Sequence, residues 1–207
     1  CRLADATLDL LESKCLEYLS LKHLTMKVRL LLSKCTQIKY LKLNDCNLGD
    51  STLDLSESNC LEYISLVHVT MKGKLLLSKC THLTYLKLNS CTLDDVLDLS
   101  ESNCLEYFRL VHMTMKGKLL LSKCANLKHL KVIDCTLVDV TLDLSESKCL
   151  EYIRLVKVTT KCKQLLSKCT QLKFLELYDC TLDDVVLDLS ESNCLEYIRL
   201  VKVTTKC

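Results

Sequence analysis

Sixteen cysteines and five histidines in 207 residues supply enough thiol and imidazole for a disulfide framework, a zinc site or a thiol nucleophile. Their spacing argues against the last two. No Cys-x-x-Cys occurs, the pairing that a zinc ribbon or a thioredoxin-like redox motif needs. Cys15, Cys35, Cys60, Cys80, Cys104, Cys124, Cys149, Cys169 and Cys194 follow one another in steps that alternate near 20 and near 25 residues. Cys46, Cys91, Cys135 and Cys180 recur once per long unit, with Cys1 in the same register, and Cys162 and Cys207 stand where earlier units carry Gly73 and Gly117. Histidine obeys the same order: His23, His68 and His112 share one column, His129 sits in another, and His82 just precedes Leu83. A catalytic constellation needs unique residues converging on one point, whereas these are spread along a repeat. The three glycines form no phosphate-cradling loop. The sequence therefore predicts no enzyme, no metal site and no cofactor.

The repeat decides what positions these groups. "CLEYIRLVKVTTKC" stands at 149–162 and again, unchanged, at 194–207. Every unit contains Leu-x-x-Leu-x-Leu or a close variant, as in Leu83, Leu86 and Leu88. Its last part alternates with period two, which puts Leu86 and Leu88 on one face of a strand and Lys87 on the other. Such a strand cannot fold alone. Stacked on like neighbours at about 4.8 Å, it buries its apolar face in a continuous core. An apolar fraction of 49% fits a folded chain. No uninterrupted run of about eighteen apolar residues is present, so no membrane-spanning helix is expected. A net charge of +2 gives no electrostatic case for nucleic acid or membranes as partners. Without proline or a linker, residues 1–207 are expected to form a single solenoid, part of a longer chain.

"LTYLKLNSCTL" at 83–93 and "LKFLELYDCTL" at 172–182 resemble the signature of the leucine-rich repeat superfamily, and the pattern covers essentially the whole chain. The paired cysteines of each long unit resemble the cysteine-containing type found in F-box-type proteins. The array is also similar to the leucine-rich ends of nucleotide-binding innate sensors. The short units depart from both, with Leu24, Val69, Met113, Val158 and Val203 at the usual asparagine position and little room for a returning helix. The resemblance implies an α/β or mostly β solenoid: a right-handed superhelix with a parallel β-sheet on its concave face and short irregular, extended or helical returns. The long returns, such as "DDVLDLSESN", read as extended segments; the short ones, such as "KGKLLLSK", read as one turn of helix.

Stacking turns each strand position into a column. One column reads Tyr18, Tyr40, Tyr63, Tyr85, Tyr107, His129, Tyr152, Phe174 and Tyr197, an aromatic ladder that either stiffens the sheet or offers a binding surface. Two residues on run Ser20, Lys42, Ser65, Lys87, Arg109, Lys131, Arg154, Glu176 and Arg199. Beside these, His23, Asp45, His68, Ser90, His112, Asp134, Lys157, Asp179 and Lys202 are expected to neutralise part of the basic stripe through pairs between coils. A Glu/Lys ladder, including Glu17, Lys39, Glu151 and Lys173, is expected to set register. The candidate partner-binding residues are Tyr63, Tyr85, Tyr107, Tyr152, Tyr197, Arg109, Arg154 and Arg199. They suit a protein partner; acids among the cations disfavour a single-stranded nucleic-acid platform. The resemblance points to the sensing end of an innate-immunity receptor or the substrate-selecting part of a ubiquitin ligase. End-to-end self-association of a structural array is the alternative. Cys46 and Cys91, two coils or about 9–10 Å apart, lie beyond disulfide reach. The sequence, which also lacks an Asn-x-Ser/Thr sequon, predicts free thiols and an intracellular chain, or an extracellular one should the leading cysteines pair.

Overall fold

Leu86 and Leu88 are fully buried while Lys87 between them faces outward, as the period-two pattern requires. The same holds along the stack, with Leu41, Leu43, Ile64, Leu66, Leu130, Val132, Leu175 and Leu177 all sealed from solvent. The computed structural model describes residues 6–93, 97–116, 119–121, 123–142, 144, 146–161, 166, 168–183 and 187–206. A strand starts at every ring position: Tyr18–Leu31, Tyr40–Gly49, Tyr63–Met71, Tyr85–Asn89, Tyr107–Val111, His129–Thr141, Tyr152–Lys161, Phe174–Asp183 and Tyr197–Lys206. Among the described residues each pairs in parallel with the strands one coil before and one coil after, except Tyr197–Lys206, which pairs with Phe174–Asp183 alone. The register sets Tyr63 opposite Tyr85, Tyr85 opposite Tyr107, and so on to Phe174 opposite Tyr197. The expected ring column is therefore a true column.

Coil length is more even than the cysteines suggest. Equivalent residues of neighbouring coils lie 22 apart, as for Lys39 and Glu17, or 23 apart, as for Ser58 and Cys35. The 20/25 alternation arises because the leading cysteines occupy two different columns. Cys35, Cys80, Cys124 and Cys169 stand five residues before the ring, at a buried corner; Cys15, Cys60, Cys104, Cys149 and Cys194 stand three before it, at or near the surface. In the alternate coils the buried corner holds Ser58, Ser102, Ser147 and Ser192 instead. These short polar groups reach back one coil. Ser58 Oγ donates to the Cys35 carbonyl at 3.2 Å, Ser192 Oγ to that of Cys169 at 3.1 Å, and Cys80 Sγ to that of Leu55 at 3.5 Å. Each of these carbonyls also accepts a backbone N–H of its own turn, from Ile38, Leu172 and Ser58 respectively, so the side chain adds a second hydrogen bond that ties one coil to the next.

The returns are extended, and the helical turn expected of the short units is not formed at the described positions. Leu75–Leu76 pairs in parallel with Leu53–Asp54, and Leu119–Leu120 with Leu97–Asp98. Length is the reason. An extended segment covers about 3.3 Å per residue against about 1.5 Å for a helix, and a coil of 22 residues has none to spare. The return at 162–165 lies outside the described residues. Gly73 serves this closeness, since a Cβ there would meet the Ser51 carbonyl oxygen at 2.1 Å. Among the described residues no helix is long and apolar enough to cross a membrane.

Because the leucine columns are the core, Leu88→Ala should destabilise the chain by about 2–5 kcal/mol. Equilibrium urea unfolding measures it, and an unchanged midpoint would mean that Leu88 does not point inward.

Candidate functional site

The ring column is continuous. Successive centroids lie 4.4 Å apart for Tyr63 and Tyr85, 4.6 Å for Tyr85 and Tyr107, 4.4 Å for Tyr152 and Phe174, and 4.4 Å for Phe174 and Tyr197, with planes within 6° of parallel. Around Tyr40 and His129 the rings tilt by 38–44° and separate to 5.9–6.2 Å. Each tilted coil carries a lysine that leans over its neighbours' rings. Lys42 Nζ lies 5.1 Å from the Tyr63 centroid, and Lys131 Nζ 4.8 Å from that of Tyr152, cation–π distances. Burial, with help from the Tyr63 and Tyr107 rings, pushes the Tyr85 phenol up to about 12. Tyr85 thus remains a neutral donor. The five tyrosines expected from the sequence, Tyr63, Tyr85, Tyr107, Tyr152 and Tyr197, lie in this single column; Tyr197 is exposed and the other four are half-buried.

The three arginines divide. Arg154 Nε lies 3.0 Å from Glu176 Oε2, and an Arg199 terminal nitrogen 3.6 Å from Glu176 Oε1. The Arg154 contact is an ion pair without the alignment of a hydrogen bond. Glu176 is only 6% exposed, so the two arginines compensate a buried charge. Among the described residues Arg109 has no such partner: its Nε is buried and makes no hydrogen bond there. Lys87 and Lys131, its neighbours in the column, have no acidic partner among the described residues.

The column beginning with His23 does not neutralise this stripe. Its members pair with one another instead: Asp45 contacts His23 at 3.2 Å and His68 at 2.9 Å, and Asp134 contacts His112 at 3.0 Å. The cause is a backbone corner. All nine residues of the column have φ between 48° and 55°, the left-handed region, which turns the side chain away from the strand's outer face. Asp and His tolerate that region better than most residues, whereas Lys157 and Lys202 bear a cost of about 1–2 kcal/mol. The Glu/Lys ladder pairs as expected, with Lys39 Nζ 3.1 Å from Glu17, Lys128 Nζ 3.1 Å from Glu106 and Lys173 Nζ 2.8 Å from Glu151. The hydrogen bond from Lys173 holds the Glu151 carboxyl below its usual range.

The parallel sheet, the leucine columns and the one-coil register have counterparts among solved structures. The plant peptide hormone receptor RGFR1 in complex with RGF2 matches with a TM-score of 0.72 at 15% identity, over 97% of this chain and 35% of that one. The Leptospira interrogans LRR protein LIC12759 matches with a TM-score of 0.59 at 15% identity, over 95% of this chain and 57% of that one. The fold is a leucine-rich repeat solenoid. The chain spans about a third and just over half of the lengths of these two structures. No protein-family model matches it, and no curated protein is similar to it in sequence.

Within the leucine-rich repeat frame, the cysteine at the asparagine position has a clear part. Cys91 Sγ donates to the Leu66 carbonyl of the coil before at 3.5 Å, and Cys180 Sγ to that of Leu155 at 3.3 Å. A thiol thus bridges backbone between coils. The cysteines in the described residues are all unpaired. Burial raises the buried thiols, Cys80 and Cys124 to about 12 and Cys135 and Cys169 to about 11, which removes them from nucleophilic chemistry. Among the described residues no group of three His, Cys, Asp or Glu is placed to hold a metal. A cavity of about 650 Å³ does open by the first returns, lined in part by Lys27, Arg29, Asp50 and Asp54. Lys27 Nζ lies 2.9 Å from Asp50, so one cation and one carboxylate of this lining pair within the chain.

On reduced, folded protein, an alkylating reagent at about pH 8 should modify Cys15, Cys60, Cys104, Cys149 and Cys194 first, because only thiolates that solvent can reach react. Cys35, Cys46, Cys80, Cys91, Cys124, Cys135, Cys169 and Cys180 should react only as the chain unfolds. Peptide mass spectrometry resolves the two sets, and labelling of Cys80 at the rate of Cys104 would contradict the two-column assignment.

Proposed function

We propose that the chain is a non-catalytic recognition module that docks a protein or peptide partner on its ring face, the concave side of the solenoid. The observation that carries this is the unbroken aromatic column with cations beside it. Tyrosine and arginine are the residue types that dominate binding energy at protein interfaces, since they bring large contact area with few torsions to freeze. Here the rings are held by their neighbours and the backbone by sheet pairing, so little further ordering opposes binding. A solenoid also presents such a surface across several coils at once. The plant structure of this fold is a peptide hormone receptor in complex with RGF2, which supports partner binding by a scaffold of this shape. The unpaired buried thiols favour a reducing, intracellular setting.

Peptides selected from a random display library on the immobilised chain should bind the ring face. Tyr107→Ala, confirmed as folded by circular dichroism, should weaken them about tenfold or more. Lys79→Ala, on a turn away from that face, should leave affinity unchanged. Selected binders indifferent to Tyr107 and competed by none of the ring-face variants would overturn the proposal.

End-to-end association of copies is the second reading, and the regular repeat, in which each coil is a template for the next, is what favours it. Stacking in the solenoid's own register opposes it, because it would set Glu196 against Glu17 and Lys202 against His23. Light scattering should accordingly show a mass independent of concentration; growth into filaments would reverse the order of the two readings.

A further inference from the structure

The outward column that follows the rings falls into three electrostatic segments. In the first three coils it reads Ser20, Lys42 and Ser65, a single cation between two serines. In the last three, Arg154 and Arg199 are spent on Glu176. Between them lie Lys87, Arg109 and Lys131 in consecutive coils, in direct register. Among the described residues none of these three has an acidic partner; Lys131, like Lys42, leans over neighbouring rings, those of Tyr107 and Tyr152, but unlike Lys42 it stands next to a further cation in the column. The next outward positions of the same strands are Asn89, Val111 and Ile133, which bring no negative charge. Three cations in steps of about 4.8 Å repel one another, and the buried Arg109 Nε lacks an acceptor.

We infer that the partner is an acidic peptide segment, laid along the stack in extended form with its carboxylates on Lys87, Arg109 and Lys131. This rests on the docking of a partner at the ring face proposed above and states what that partner carries. In an extended peptide, side chains on one side recur about every 6.6–6.8 Å, so two acids separated by one residue fall within the span of the three cations. Arg109 takes a carboxylate on its planar fork, while Lys87 and Lys131 act as point charges on either side. The apolar residue that points the other way along the edge meets the parallel rings of Tyr85 and Tyr107. The patch has ends: the buried Ser65 on one side and the Glu176-bound Arg154 on the other. That boundary suits a short acidic stretch and not a long phosphate backbone, which needs cations along its whole track.

The test uses a short fluorescein-labelled peptide alternating glutamate with leucine and a copy with glutamine for glutamate, followed by fluorescence anisotropy on the full chain. The glutamate peptide should bind at least about tenfold tighter than the glutamine copy, with the gap narrowing as salt is added. Lys87→Gln with Lys131→Gln should erase the preference, as should Arg109→Gln, while Lys79→Gln keeps it. Circular dichroism checks that each variant is folded, and single Lys131→Gln replaces the double variant should that one fail to fold. Equal binding of the two peptides, with both lost on Tyr107→Ala, would overturn the acidic inference and leave ring-face docking standing. No binding of the glutamate peptide, or a preference that survives the lysine variants, also overturns it. So would an oligothymidine that binds as tightly as the glutamate peptide and is lost in the same variants, since that outcome assigns the patch to nucleic acid.

Discussion

Every feature of this molecule depends on parallel pairing of each strand with its equivalent one coil away. A single coil has one row of leucines and no core. Its apolar face is covered only when the next coil lies in register, about 4.8 Å on. Once that register holds, backbone hydrogen bonding, leucine burial and the alignment of every surface column are fixed together. A slip of one residue would turn the leucines outward and the lysines inward. The register is thus the most constrained quantity in the chain, and the inter-coil Glu/Lys pairs and the reach-back of corner serines and thiols all reinforce it.

The geometry repeats every coil, but the chemistry repeats every second coil. Serine alternates with cysteine at the buried corner, glutamate with lysine through much of the ladder before the rings, and histidine with aspartate in part of the left-handed column. Alternation makes neighbours complementary where identity would set like charges against one another. It also keeps the surface thiols two coils apart, with Gln37, His82, Asn126 or Gln171 between them, beyond the distance a disulfide spans. The even coil length and the uneven cysteine spacing are therefore compatible, because two columns share one residue type.

On the ring face, stacking converts a weak tendency into a continuous surface. One tyrosine on a strand is an ordinary half-buried residue, whereas a tyrosine or its equivalent in every coil makes a stiff aromatic strip. The cations beside it differ in what they are free to do. Glu176 draws Arg154 and Arg199 into the fold's own charge balance, Lys42 and Lys131 lean over neighbouring rings, and the middle of the face, where three cations follow one another, has no acidic partner among the described residues. The binding capacity proposed here follows from this difference between neighbouring coils.

The sequence by itself determined the strands, the inward leucines, the ring column and the Glu/Lys ladder, because all of these follow from period-two alternation and from a repeat that aligns like with like. It did not determine the path of the short returns, since a few apolar residues fit either a helical turn or an extended segment; the distance to be covered decided for the latter. Nor did it reveal the left-handed corner. Glycine usually marks such a position, and here His, Asp, Ser and Lys occupy it, held there by the coils above and below. The pairing of Arg154 and Arg199 with Glu176, and the isolation of Arg109, were likewise tertiary decisions. A column of letters shows which residues are neighbours, but only side-chain direction and burial show which of them are already satisfied.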